Sequence, residues 1–128
     1  MKKDFDKWNI NKKQIHSNNE NKFYGQREIW WCSLGTNIGF EQDGTGVCGE
    51  RPVLILKGFS KHVCIVVPLT SSNKKNPYHF YLGKVSGRDA WLITSQIRLI
   101  DTKRLINKIG SIENIIFEEI RKTIKDLI

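Results

Sequence analysis

The stretch GTGVCGERPVLIL, residues 44–56, runs a glycine-rich loop into Arg51, Pro52 and an aliphatic segment. Glycines ahead of a strand can be a turn and nothing more, or can let backbone approach a phosphate closely. An arginine at such a junction stands on a rigid edge, where its planar fork can meet two oxygens of an anion. Its pKa above about 12 suits it to stabilising charge rather than to removing protons. The acid–base candidates are His16, His62 and His79. Of these only His79, on a run of alternating character, is worth testing, and strand packing is its plainer reading. Cys32, Cys48 and Cys64 are odd in number and lack CxxC or metal-ligand spacing, which fits thiols in a reducing compartment. Cys32 and Cys64 lie in apolar runs and read as core, whereas Cys48 lies in the glycine loop. No cofactor or metal is implied.

A chain of 128 residues suits one domain around a single core. The net charge of +8 and pI near 9.5 favour a polyanionic partner: RNA, DNA, a membrane surface or an acidic protein. The apolar runs are strand-sized, too short to cross a membrane. The N-terminus MKKDFDKWNINKKQ has lysines but no apolar h-region, so the reading is a cytoplasmic protein without a signal peptide.

Phe5, Trp8, Lys12 and Ile15 share one face of an amphipathic helix over about 2–16, followed by a polar linker, SNNENK. Strands are predicted at REIWWCSL (27–34), at RPVLILKG with Pro52 at its start, at SKHVCIVVPLTSS and at YHFYLG, with one or two more in AWLITSQIRLI around Thr94–Gln96. The short KGFSK link makes the second and third strands an antiparallel hairpin. DTKRLI reads as a helical turn capped by Asp101, and SIENIIFEEIRKTIKDLI as a terminal helix capped by Ser111. Its apolar stripe is Ile112, Ile115, Ile116, Ile120, Ile124 and Leu127. Trp30 and Trp31 point to opposite faces, so at least one serves the core or a dimer interface. Together these elements predict a mainly β fold with flanking helices, a small antiparallel barrel.

Four segments, in order, resemble the MazF/PemK family of bacterial toxins: REIWWCSLG, then GFEQDG followed by RPVLIL, then IVVPLTS, then TSQIRLIDTKRLINKIGSI. The resemblance covers about residues 25–128 and leaves residues 1–22 as an N-terminal extension to a 23–128 domain. It implies an SH3-like barrel, a homodimer, and a metal-independent endoribonuclease that cuts single-stranded RNA or mRNA at short sequences. It also implies a cognate antitoxin whose disordered C-terminal segment folds into the active groove. Two departures stand out. The segment between Gln42 and Arg51 is longer than the family's, and KGFSKH is shorter. The Arg and Asp of the PemK branch correspond here to Ile93 and Ser95, which places the chain with the MazF branch.

In that branch the implied catalytic pair is Arg51 and Thr70. The 2′-OH attacks phosphorus in line, the 5′-oxygen leaves, and a 2′,3′-cyclic phosphate remains; the site must orient the nucleotide and neutralise the phosphorane. Arg51 suits that neutralisation, and Thr70 can hydrogen-bond a phosphate oxygen or the 2′-OH. Around that pair the expected RNA contacts are Glu41, Gln42 and Gly44 from the glycine loop, Ser71 and Ser72 continuing the Thr70 edge, and Gln96 and Arg98 along the same groove, with Gln96 alternatively satisfying buried backbone groups. Trp30, Trp31 and Tyr24 are possible base-stacking residues. Two rivals remain at this stage: a non-catalytic module that grips RNA or protein through its basic face, and a gyrase-poisoning toxin of the same fold. The charged RKTIKD near the terminus speaks against the second.

Overall fold

The computed structural model describes residues 23–34, 49–72 and 76–128. The predicted N-terminal helix, its linker, Glu41, Gln42, Gly44 and Cys48 lie outside the described residues. Among the described residues, seven strands and one α-helix follow in order: β1 (Glu28–Ser33), β2 (Glu50–Gly58), β3 (Val63–Thr70), β4 (His79–Val85), β5 (Arg88–Ile93), β6 (Arg98–Asp101), β7 (Leu105–Ser111) and α1 (Asn114–Leu127). A 3-10 turn, Thr102–Arg104, joins β6 to β7. The strands form one curled antiparallel sheet in the order β4-β5-β3-β2-β1-β7, with β6 pairing β3.

The curl has a local cause in β3. One edge pairs with β2 over Cys64–Pro68, but the other is shared: Val63–Val66 face β6, and Leu69–Thr70 face β5. Pro68 sits in the gap between these partners, where a residue without an N–H disturbs the ladder least. The sheet therefore divides at Pro68 and wraps into a half-barrel.

Both faces of the central strands are covered, so β2 reads as an unbroken aliphatic run rather than an alternating one. Leu54 points to α1, in a cluster with Ile29, Val67, Leu69, Leu92, Phe117, Ile120 and Ile124. Val53 and Ile55 point the other way, joining Trp30, Cys32, Cys64, Val66, Ile100 and Leu105. Cys32 and Cys64 are both fully buried, as their apolar surroundings suggested.

The sequence reading is corrected at several points. The helical turn capped by Asp101 is present but ends at Arg104, and Leu105–Ser111 form a strand, β7, on the free edge of β1 that the sequence did not suggest. Ser111 is therefore the last residue of β7, and the N-cap of α1 is Glu113, which makes no side-chain capping bond. The buried face of α1 is Phe117, Ile120 and Ile124, while Ile115 is 72% and Leu127 42% exposed. The segment AWLITSQIRLI splits into β5 and β6 around a turn at Thr94–Ser95. β5 begins earlier than predicted because Ser86 and Gly87, with φ of 53° and 80°, make a two-residue hairpin turn. Positive φ at both positions matches the strand twist.

Candidate active site

The β2–β3 ladder pairs Val53 with Pro68 and Leu54 with Val67. Continuing that register brings Arg51 opposite Thr70, and residues directly opposite in an antiparallel pair share a face. That face is the one turned away from α1, because Leu54 and Leu69 occupy the helix side. Two residues 19 positions apart in sequence are thus cross-strand neighbours.

Arg51 is not a plain surface arginine at a strand start: its side chain is 1% exposed. Its Nη1 donates to the Leu69 carbonyl at 2.6 Å, which fixes the guanidinium against the end of β3 beside Thr70. A charge-assisted bond of this kind is shorter and stronger than one between neutral groups. Thr70 is half-buried, and its Oγ1 accepts from the Ser72 amide at 3.1 Å. A hydroxyl that accepts one hydrogen bond still has its proton to donate. Ser71 is exposed and Ser72 half-buried, and both continue the Thr70 edge as anticipated.

Two further arginines gather on this face. Arg98 lies opposite Val66 in the β3–β6 pair, and Gln96 sits in the turn leading to it, its amide bonded to the Ile93 carbonyl at 3.0 Å. Arg104, which the sequence reading passed over, leaves the 3-10 turn and donates to the Ser33 carbonyl at 3.0 Å. The turn is set by Asp101, whose Oδ1 accepts from the Lys103 amide. Cys32 reports the cluster from beneath. It pairs with Arg51 across β1–β2, and burial pushes its thiol up to about 12 against the pull of the Arg104 and Arg98 charges. The only trace of Arg104 in the sequence is the basic pair in DTKRLI, which carries no sign of where it lands.

His79 is on β4 opposite Ile93, two strands from Thr70, or about 10 Å across the sheet. Its Nδ1 is buried, and no described residue hydrogen-bonds it. The structure therefore does not bring His79 to Thr70. Trp30 is core, whereas Trp31 lines a cavity of about 690 Å³ together with Pro52, Thr70, Ser71, Ser72 and Arg88. Tyr24 is likewise occupied. Its hydroxyl donates to the Ser60 carbonyl, and its ring lies so close to Gly58 that an added Cβ there would meet the phenol oxygen at 2.6 Å.

The arrangement supplies a fixed guanidinium, a half-buried hydroxyl and two flanking cations on one face. That set can hold a phosphodiester and stabilise added charge on it. Among the described residues, no helix is long and apolar enough to cross a membrane.

Over residues 25–128 the chain matches the family of PemK-like, MazF-like toxins of type II toxin–antitoxin systems. Its structure is similar to that of MazF from Deinococcus radiodurans, at 18% identity and a TM-score of 0.66, over 84% of this chain and 97% of that one. It is also similar to the MazE–MazF complex of the same organism, at 18% identity and a TM-score of 0.63, over 84% and 96%. A mycobacterial endoribonuclease in complex with its cognate antitoxin aligns at 15% identity and a TM-score of 0.62, over 81% and 93%. At these identities the likeness is one of fold. No curated protein matches the chain.

Proposed function

Because this chain belongs to the PemK-like, MazF-like toxins of type II toxin–antitoxin systems, we propose that it is a metal-independent endoribonuclease acting on single-stranded RNA in the cytoplasm. In this reading it works as a homodimer with an SH3-like barrel in each protomer, and a cognate antitoxin neutralises it. The similar folds solved as a MazE–MazF complex and as an endoribonuclease with its cognate antitoxin support that partnership.

The observation that carries the reading is the buried Arg51 guanidinium held on the Leu69 carbonyl, next to Thr70 at the end of β3. The neighbouring 2′-OH attacks phosphorus as its proton passes to water, the P–O bond to the 5′-oxygen breaks and that oxygen takes up a proton, and the products end in a 2′,3′-cyclic phosphate and a 5′-OH. Arg51 stabilises the phosphorane and can donate to the leaving oxygen. Thr70 donates its hydroxyl proton to a non-bridging oxygen, and Arg98, Gln96, Ser71 and Ser72 steady the flanking backbone. Glu41, Gln42 and Gly44 belong to this proposal as RNA contacts from the preceding segment. At 1% exposure Arg51 meets a phosphate only once the surface above it opens, so opening precedes chemistry.

The test is cleavage of a long single-stranded RNA in EDTA, with the product ends mapped, for wild type, Arg51→Ala and Arg51→Lys. The expected outcome is discrete cuts with cyclic-phosphate ends, slowed by about 100- to 1,000-fold in Arg51→Ala, the scale for losing one preorganised donor. Arg51→Lys keeps the charge but loses the fork and recovers little. Melting curves separate lost chemistry from lost fold. The burial of Arg51 also favours a second reading, a module that binds RNA without cutting it; RNA bound and left intact by folded wild type selects that reading.

A further inference from the structure

The row that starts at Arg51 and Thr70 does not stop there. Thr70 lies opposite Trp91 on β5, and Trp91 lies opposite Tyr81 on β4. By the same cross-strand rule the three side chains line up across β3, β5 and β4, on the face turned away from α1. The two aromatic rings are 5.3 Å apart between centroids and tilted by 52°. Tyr81 is 54% exposed and Trp91 half-buried.

Packing does not account for these rings. The core-facing residues of the same two strands are Phe80, Leu82, Ala90 and Leu92, all against the helix-side cluster. Neither Trp91 nor Tyr81 belongs to either core cluster. The Tyr81 hydroxyl instead donates to Asp89 Oδ1 at 2.8 Å, which holds the ring in place on the open surface. Lys84, opposite Asp89, adds positive charge beside the rings. A rigid aromatic surface with a cation at its edge, in line with a phosphate-binding hydroxyl, is how proteins hold unpaired bases.

We propose that Trp91 and Tyr81 form a stacking platform for the nucleobase adjoining the phosphate held at Thr70, and that this platform biases which bases flank the cut. The inference rests on the ribonuclease reading above for the position of the phosphate. Stacking strength grows with ring area, so the platform favours a purine at its position. The preference is modest, because every base offers a π-face.

The experiment maps cut sites and rates on a long single-stranded RNA for wild type, Tyr81→Ala, Trp91→Phe and Trp91→Ala. The expected result is a fall in kcat/KM of about 5- to 100-fold in Trp91→Ala, the range that base stacking spans. Trp91→Phe retains most activity. Tyr81→Ala melts like wild type yet loses the purine bias beside the cut. Unchanged rates and an unchanged flanking-base profile in Tyr81→Ala and Trp91→Phe overturn the platform while leaving the ribonuclease intact, and these two variants suffice should Trp91→Ala not fold. If wild type cuts no RNA, the ribonuclease reading fails by itself. The platform is then decided by an oligoribonucleotide carrying 2-aminopurine: quenching by wild type that Tyr81→Ala abolishes supports it, and no quenching overturns it.

Discussion

Glu28 shows how one side chain can organise the start of a sheet. Its Oε1 accepts from the Gly25 amide and from Trp30 Nε1, both at 2.9 Å, and its Oε2 pairs with Lys108 of β7 at 3.2 Å. Burial alone would raise this carboxyl, but the bonds from Trp30, Gly25 and Lys108 outweigh it and hold it below the usual carboxylate range. A carboxyl whose pKa is lower folded than unfolded stabilises the protein above the unfolded value of 4.5, and that stabilisation is lost as pH falls through the folded value. Glu28→Gln is therefore expected to cost about 1 kcal/mol at pH 7. The gap between the two melting curves should close as pH drops below 4.5, and a gap that stays constant would show that the charge is not responsible. At this scale the sequence was informative about Arg51 and Thr70, because an arginine after glycines and a threonine ending an apolar run keep their positions at strand ends. It was silent on the burial of Arg51 and on Arg104, since both depend on chain from distant segments.

At the scale of elements, α1 is the clearest case of a correct element with a misread face. Ile115 and Phe117 both look apolar in sequence, yet Ile115 is 72% exposed and Phe117 only 1%. The face is chosen by the sheet, where Ile29, Leu54 and Val67 await it. Phe117→Ala should cost about 3–5 kcal/mol in chemical unfolding, as expected for removing a fully packed ring. Ile115→Ala should stay within about 0.5 kcal/mol of wild type, and equal losses at the two positions would mean that the face is assigned wrongly. β7 was missed for a related reason. LINKIGS contains Asn107, Lys108 and Gly110, poor strand formers, and becomes a strand because β1 offers it an open edge. Strands β2 and β3 and their hairpin were legible because an aliphatic run buried on both faces looks the same in any setting.

For the whole molecule, the net charge of +8 becomes a local feature only through folding. Arg98 and Arg104 are brought to the face that carries Arg51 by β6 and the 3-10 turn that follows it. Binding of a single-stranded RNA should weaken steeply with salt. In a logarithmic plot of affinity against salt, each neutralised phosphate contributes a slope of about −0.7. Arg104→Ala should flatten that slope by roughly 0.7, whereas Arg121→Ala, on the outer surface of α1 and paired with Glu118, should leave it unchanged. Anisotropy titrations with a labelled RNA across a range of salt concentrations read both. Identical slopes in the two variants would place the RNA path elsewhere.

What the sequence determined by itself was local in origin: the strand-forming runs, the hairpin between β2 and β3, the terminal helix, the basic balance and the ordered segments that resemble a toxin family. Each depends on neighbouring residues or on composition, and survives in any fold the chain adopts. What only the tertiary structure decided was non-local. The division of β3 between β5 and β6, the strand made of residues 105–111, the buried guanidinium of Arg51 and the line from Thr70 through Trp91 to Tyr81 all arise from strand register. Register is set by which faces find apolar partners across the sheet, and a single strand carries no record of its neighbours.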